Sequence, residues 1–132
     1  MIKKQFTLYL ENKPGALAIV TRLLANADVN IDGISVAGTA DVGLVQLVVS
    51  NARATQQALK KANIAYTVQD VARVAMPDKP GALSEVIARM AKKGININYV
   101  YATGCDCKDG CNCYAIISAP DLKKAEKAWN SV

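Results

Sequence analysis

Apolar and polar residues alternate from Phe6 to Glu11, a stretch carrying Phe, Thr and Tyr, and this predicts a strand. The period then changes. Leu17, Val20 and Leu24 recur at helical spacing, and further on Leu83, Val86, Ile87, Met90 and Ala91 fall at i, i+3, i+4, i+7 and i+8. Each set predicts a helix with one apolar stripe. Second strands are predicted over Ile31–Ala37 and Ile97–Thr103, and third strands over Leu44–Ser50 and Tyr114–Ser118. Second helices follow over Ala54–Ala62 and Leu122–Trp129, the latter with Asp121 placed to cap it. Ala65–Asp70 reads as a fourth strand, running without a linker into Ala72–Met76, the first strand of the next unit. Seven strands and four helices are thus expected.

The pattern occurs twice. Lys13-Pro14-Gly15-Ala16-Leu17 recurs as Lys79-Pro80-Gly81-Ala82-Leu83, Val29-Asn30-Ile31-Asp32 as Ile95-Asn96-Ile97-Asn98, and Gly38 as Gly104, all in one register. Lys-Pro-Gly turns the chain, because Pro fixes φ and Gly frees it, and Lys93-Gly94 marks a helix end suited to a left-handed cap. Each copy reads strand, helix, strand, strand, helix, strand. This is an α+β plan of two ferredoxin-like βαββαβ units in tandem, residues 1–70 and 71–132, each an antiparallel sheet with both helices on one face. After Trp129 only Asn130, Ser131 and Val132 remain, so the second unit's last strand is missing or truncated. The exposed edge this leaves is a liability that another unit or a second chain is expected to cover.

Composition narrows the chemistry. The 132 residues are 52% hydrophobic, enough for packed cores, and they include no histidine. Ser-His-Asp and Cys-His nucleophiles are therefore excluded within the chain, as is histidine acid–base catalysis. No paired carboxylates stand at a motif spacing either, and an enzyme is not expected. The net charge of +5 raises nucleic acid as a partner. The lysines and arginines are scattered over helix ends and polar faces, with no aromatic-studded basic strand, so that partner is not expected. No run approaches the roughly 18 apolar residues of a membrane span. Met1-Ile2-Lys3-Lys4-Gln5 lacks the apolar stretch of a signal peptide, and the expected address is the cytoplasm.

These residues resemble the ACT-domain family. Glu11-Asn12-Lys13-Pro14-Gly15-Ala16-Leu17 looks like its turn from first strand to first helix, and Asn30-Ile31-Asp32 like the start of its second strand. The likeness covers nearly the whole chain, twice, and is similar to stand-alone tandem ACT proteins of regulatory type. It implies a small ligand, commonly an amino acid, at the interface between two ACT units, and a homodimer. Backbone N–H groups at a helix start suit a carboxylate. The ligand-binding candidates are then Asn12, Gly15, Ala16 and Leu17 with Asn30, Asp32 and Asp41 in the first copy, and Asp78, Gly81, Ala82, Leu83 and Asn96 in the second. Gly15 and Gly81 would allow close approach, and Asp32 or Asp41 would receive an ammonium group. Residue by residue, the plain alternatives are that Pro-Gly only makes the turn and that Asn30 only caps a strand. Asp78 replaces Asn12 and Asn98 replaces Asp32, so the two copies need not bind alike.

All four cysteines, Cys105, Cys107, Cys111 and Cys113, fall in an elaborated hairpin over 104–114 that the resemblance does not explain. With Lys108-Asp109-Gly110 as a three-residue loop, Cys107 faces Cys111 and Cys105 faces Cys113. The sulfurs would emerge on one side, suited to Zn²⁺, another thiophilic metal or an iron–sulfur cluster. Two cross-strand disulfides, redox-active thiols and unliganded thiols fit the same pairing. A metal- or redox-responsive protein is accordingly the alternative to an amino-acid sensor, and no other cofactor is expected.

Overall fold

The computed structural model describes residues 1–104 and 112–130, and of Asn112 the backbone alone. Three of the four cysteines, Cys105, Cys107 and Cys111, lie outside the described residues. The elements are β1 (Ile2–Glu11), α1 (Ala16–Asn26), β2 (Ile31–Gly38), β3 (Val42–Val49), α2 (Ala52–Lys61), β4 (Thr67–Pro77), α3 (Ala82–Lys92), β5 (Tyr99–Thr103), β6 (Asn112–Ser118) and α4 (Leu122–Asn130). Among the described residues six strands stand where seven were expected. From Thr67 to Met76 there is no Gly, Pro or Asn to break the backbone, so the two strands expected at 65–70 and 72–76 are one continuous strand, β4.

Two compact units result, one of residues 4–69 and one of residues 70–132 joined by Met1–Lys3. In the first, the strand order is β2-β3-β1, all antiparallel, with Phe6 opposite Leu47, Leu8 opposite Val45 and Leu10 opposite Gly43. Every second residue therefore faces α1 and α2. Phe6, Leu8, Val45 and Leu47 pack there with Val20, Leu24 and Leu59, all of them buried, and Tyr66 meets Phe6 at 5.5 Å between ring centres. In the second unit the order is β4-β6-β5, with Val74 opposite Ala115 and Met76 opposite Cys113. Its core gathers Val74, Met76, Val86, Met90, Ala115 and Ile117. Corresponding positions of the two copies are 66 apart up to the hairpin (Leu8 and Val74) and 70 apart beyond it (Val45 and Ala115), because the second hairpin is four residues longer.

Helix ends follow local chemistry. Helices α1, α2 and α3 each close into a residue with positive φ, Asp28, Asn63 and Gly94, the types that tolerate it best. Val29 N–H reaches back to Leu24 O and Ile95 N–H to Met90 O, the Schellman pattern, and the Lys93-Gly94 end expected from the sequence is one of these. No helix among the described residues is long and apolar enough to cross a membrane.

The free edge of β4 is covered inside the second unit. Met1 and Arg73 exchange two backbone hydrogen bonds, Arg73 N–H to Met1 O at 2.7 Å and the Met1 amino group to Arg73 O at 2.9 Å, an antiparallel bridge. Two residues on, the Trp129 indole N–H donates to Ala75 O at 2.8 Å, and the Arg89 guanidinium lies 4.6 Å from the centre of the Trp129 ring. One side chain thus supplies the donor that a neighbouring strand would have offered. Trp129→Ala removes that donor, the stacking and part of the core, and is expected to cost about 2 kcal/mol. Trp129→Phe keeps most of the packing and is expected to cost about 1 kcal/mol. Chemical denaturation of the three proteins, followed by circular dichroism, checks the order.

Candidate functional site

The Lys-Pro-Gly turns are built alike. Pro14 stands second and Gly15 third in a four-residue turn closed by Ala16 N–H to Lys13 O at 3.3 Å; Pro80 and Gly81 do the same, with Ala82 N–H to Lys79 O at 3.2 Å. Gly15 has φ 89° and ψ −17°, Gly81 φ 90° and ψ −13°, as the third position of a type II turn requires. The same glycines are the N-caps of α1 and α3, and having no side chain they leave the first turns without a side-chain cap. The other two helices differ. Asn51 Oδ1 accepts from Ala54 N–H at the start of α2, and Asp121 Oδ1 from Lys124 N–H at the start of α4, each at 3.0 Å. Among the described residues, open helix starts, with backbone donors and the positive end of the dipole, thus occur only where the repeated motif lies.

Beside each turn is a small cavity. In the first unit it measures about 150 Å³ and is walled by Asn12, Lys13, Ala16, Leu17, Val36 and Gly43, among others. In the second it measures about 200 Å³, with Asp78, Lys79, Ala82, Leu83, Ala102 and Cys113 in the same places. Asn12 Nδ2 donates to Thr39 O at 2.6 Å, and Asn12 N–H to Asp41 O at 2.9 Å, so this residue ties the turn to the β2–β3 hairpin. Its side chain lies across Gly38, where a Cβ would come within 3.4 Å of Nδ2; a Cβ on Gly104 would come within 3.3 Å of Asp78 Oδ1. Gly38 and Gly104 are therefore part of the site. Their in-register recurrence was the sequence signal for them, although it points to no role by itself. No atom lies within 4 Å of the Cβ position on Gly15 or Gly81, so the space over both turns is open. The Lys13 ammonium, 2.8 Å from Glu11 Oε2, holds that carboxyl below its ordinary range by hydrogen bonding and charge. Pro77 takes the place of Glu11 in the second copy.

The candidates fall into separate groups. Asn12, Gly15, Ala16 and Leu17 come together at the first turn, with Asp41 joined through its backbone; Asp78, Gly81, Ala82 and Leu83 come together at the second. Asn30 and Asp32 do not join them. Asn30 Nδ2 donates to Asp32 Oδ1 at 2.9 Å, and the pair sits at the opposite end of β2 from Gly38, roughly 23 Å away at ~3.3 Å per strand residue. Asn96 makes the equivalent bond to Asn98 Oδ1 at 3.2 Å. Within one unit, then, no small ligand touches both the turn and the Asn30 or Asn96 group. Cys113 occupies the position of Gly43, is buried in the second core and forms part of the cavity wall. No group of three or more potential metal ligands occurs among the described residues.

A family model described as an ACT domain pair matches residues 1–114. Among solved structures, a protein of Bacteroides thetaiotaomicron is 29% identical and superposes with a TM-score of 0.87, over 99% of this chain and 88% of that one. The ligand-free regulatory subunit of aspartate kinase from Thermus thermophilus is 20% identical, with a TM-score of 0.75 over 99% of this chain and 94% of that one. The corresponding subunit of Thermus flavus is 17% identical, with a TM-score of 0.64 over 98% and 91%. These two likenesses show the fold. No curated protein matches the chain.

Proposed function

The chain belongs to the ACT domain pair family, and from that premise we propose that it is a non-enzymatic regulatory module that binds a free amino acid and works as a homodimer. One observation carries this reading: the two helices that begin at the repeated Lys-Pro-Gly turns are the two without a side-chain cap, and each opens beside a small cavity. A ligand carboxylate supplies what Asn51 and Asp121 supply to the other helices, an oxygen acceptor at the first turn. This reading assigns it the backbone N–H groups of Leu17 and Leu83. The homodimer is proposed from the family, whose domains commonly dimerise. The Asn30–Asp32 pair, at the far end of β2, is left out of this site. The aspartate kinase regulatory subunits of similar fold point to a role in controlling an enzyme rather than performing a reaction.

Calorimetric titration with the twenty amino acids tests the reading, together with light scattering with and without the ligand found. Saturable binding of one amino acid or a few related ones, by a dimer, is expected. No heat with any of the twenty, or a monomer throughout, overturns it. Asn12→Ala cuts the side-chain tie between turn and hairpin, the bond to Thr39 O, while leaving the backbone bond to Asp41 O and the helix start intact. It is expected to weaken binding about tenfold, the order of one lost hydrogen bond, with the dimer unchanged.

A further inference from the structure

The groove between the end of α3 and α4 differs from its counterpart in the first unit in size and in where its lysines stand. It encloses about 310 Å³ and is lined by Lys93, Lys124, Lys127 and Ala128. The counterpart between α1 and α2, about 540 Å³, has Ala27, Ala54, Gln57 and Ala58 at the corresponding positions and Lys61 as its one lysine. Three neutral residues have become three lysines around one cavity, while the fourth, alanine, is the same. The first unit shows that the helix pair packs without the lysines, so packing does not account for them.

Local energetics disfavours the two on α4. Lys124 and its neighbour Lys123 stand in the first turn of α4, where the helix dipole disfavours cations and the Asp121 carboxylate at the cap offsets it in part. Lys123 and Lys127, four apart, repel each other on one helix face. Beyond the Asp121 cap, no acid pairs with them: Glu126 on the same helix pairs with the Met1 amino group, and none of Lys93, Lys124 and Lys127 is ion-paired with a carboxylate among the described residues. Lys93 closes α3, where the dipole favours a cation, and Lys124 and Lys127 belong to α4; the three side chains line one groove, and an anion seated there is attracted by all three.

We propose that this groove binds a compact polyanion with several linked phosphates, either a free phosphate chain or the phosphate tail of a nucleotide. A single carboxylate would neutralise one of three ammonium groups; a phosphate chain meets all three, and lysines serve as movable point charges for it. The inference is independent of the amino-acid reading, because the groove shares no residue with either turn.

The test is calorimetric titration with inorganic tripolyphosphate and with ATP, at low and at moderate salt. It uses the unaltered protein, K124Q/K127Q, and the control K60Q/K61Q, which removes two lysines from α2 of the first unit. Expected are saturable tripolyphosphate binding, a loss of at least tenfold in K124Q/K127Q and no change in K60Q/K61Q. ATP bound more tightly than tripolyphosphate identifies a nucleotide as the source; equal or weaker ATP binding identifies a free chain. Without ligand, K124Q/K127Q should melt at a higher temperature than the unaltered protein, since two unfavourable charges are gone. Absence of binding, equal losses in both double variants, or a lower melting temperature in K124Q/K127Q overturns the proposal. So does tighter binding of a twenty-nucleotide single-stranded RNA with the same variant dependence, which would make the face a nucleic-acid surface.

Discussion

Gly15→Val is expected to lower stability by about 2 kcal/mol and to abolish measurable amino-acid binding, whereas Gly15→Asn should cost well under half as much. Crowding is not the reason, since nothing lies within 4 Å of the Cβ position. The reason is φ 89°, a backbone conformation that a β-branched residue is strongly disfavoured from holding and that asparagine tolerates. Relief of the strain swings the Pro14–Gly15 peptide, and with it the first N–H groups of α1, away from the cavity. Valine would leave the fold intact only if φ at position 15 were negative, and it is not. Gly81→Val should act in the same way on the second turn. Denaturation curves and calorimetry on Gly15→Val, Gly15→Ala and Gly15→Asn check the series. If valine proves no more damaging than asparagine, the turn does not depend on the left-handed conformation.

The same turn shows what could be read from the sequence. Lys-Pro-Gly-Ala-Leu, twice in register, identified the repeat, the two helix starts and the unit plan, because proline and glycine restrict the backbone locally wherever they stand. The Schellman end at Gly94 was legible for that reason too. What escaped depends on neighbours distant in sequence. Val71 and its flanking residues suit two strands or one equally well, and the absence of a turn residue joins them. Trp129 reads as one more apolar position on an amphipathic helix, whereas its indole N–H meets an edge carbonyl 54 positions away in the chain. Met1 stands opposite Arg73 although nothing local to either residue announces it. The site was half legible. Asn12 and the glycines come together at one turn, while Asn30 and Asp32, from a separate repeated segment, lie at the far end of a strand. Cys113 takes the place of Gly43 only once the four extra hairpin residues have shifted the register, and its burial follows from that shift.

Phe6→Ala should have the largest effect on stability, about 3–5 kcal/mol. Phe6 is fully buried, stands opposite Leu47 between β1 and β3, and packs against the Tyr66 ring. Truncation to alanine removes the ring from the centre of the first unit's core and leaves a cavity whose walls, Leu8, Leu24 and Leu47, are held by strand pairing and by α1 and cannot collapse into it. The repeat does not excuse the change, although Ala72 is the corresponding residue of the second unit: Ala72 stands opposite Ile117 in a core of different composition, closed by Met76 and Met90. The variant also makes a local test possible. Trp129, the single tryptophan of the chain, belongs to the second unit, and β1 continues backward from Phe6 to Ile2 and the Met1–Arg73 bridge of that unit. Loss of the first core frees β1, and the bridge goes with it. Urea unfolding of Phe6→Ala, followed at once by far-ultraviolet circular dichroism and by Trp129 fluorescence, is therefore expected to show both signals moving to lower midpoints. A fluorescence transition that stays at its original midpoint while the dichroism shifts would show that β1 transmits nothing, and that each unit unfolds on its own core alone.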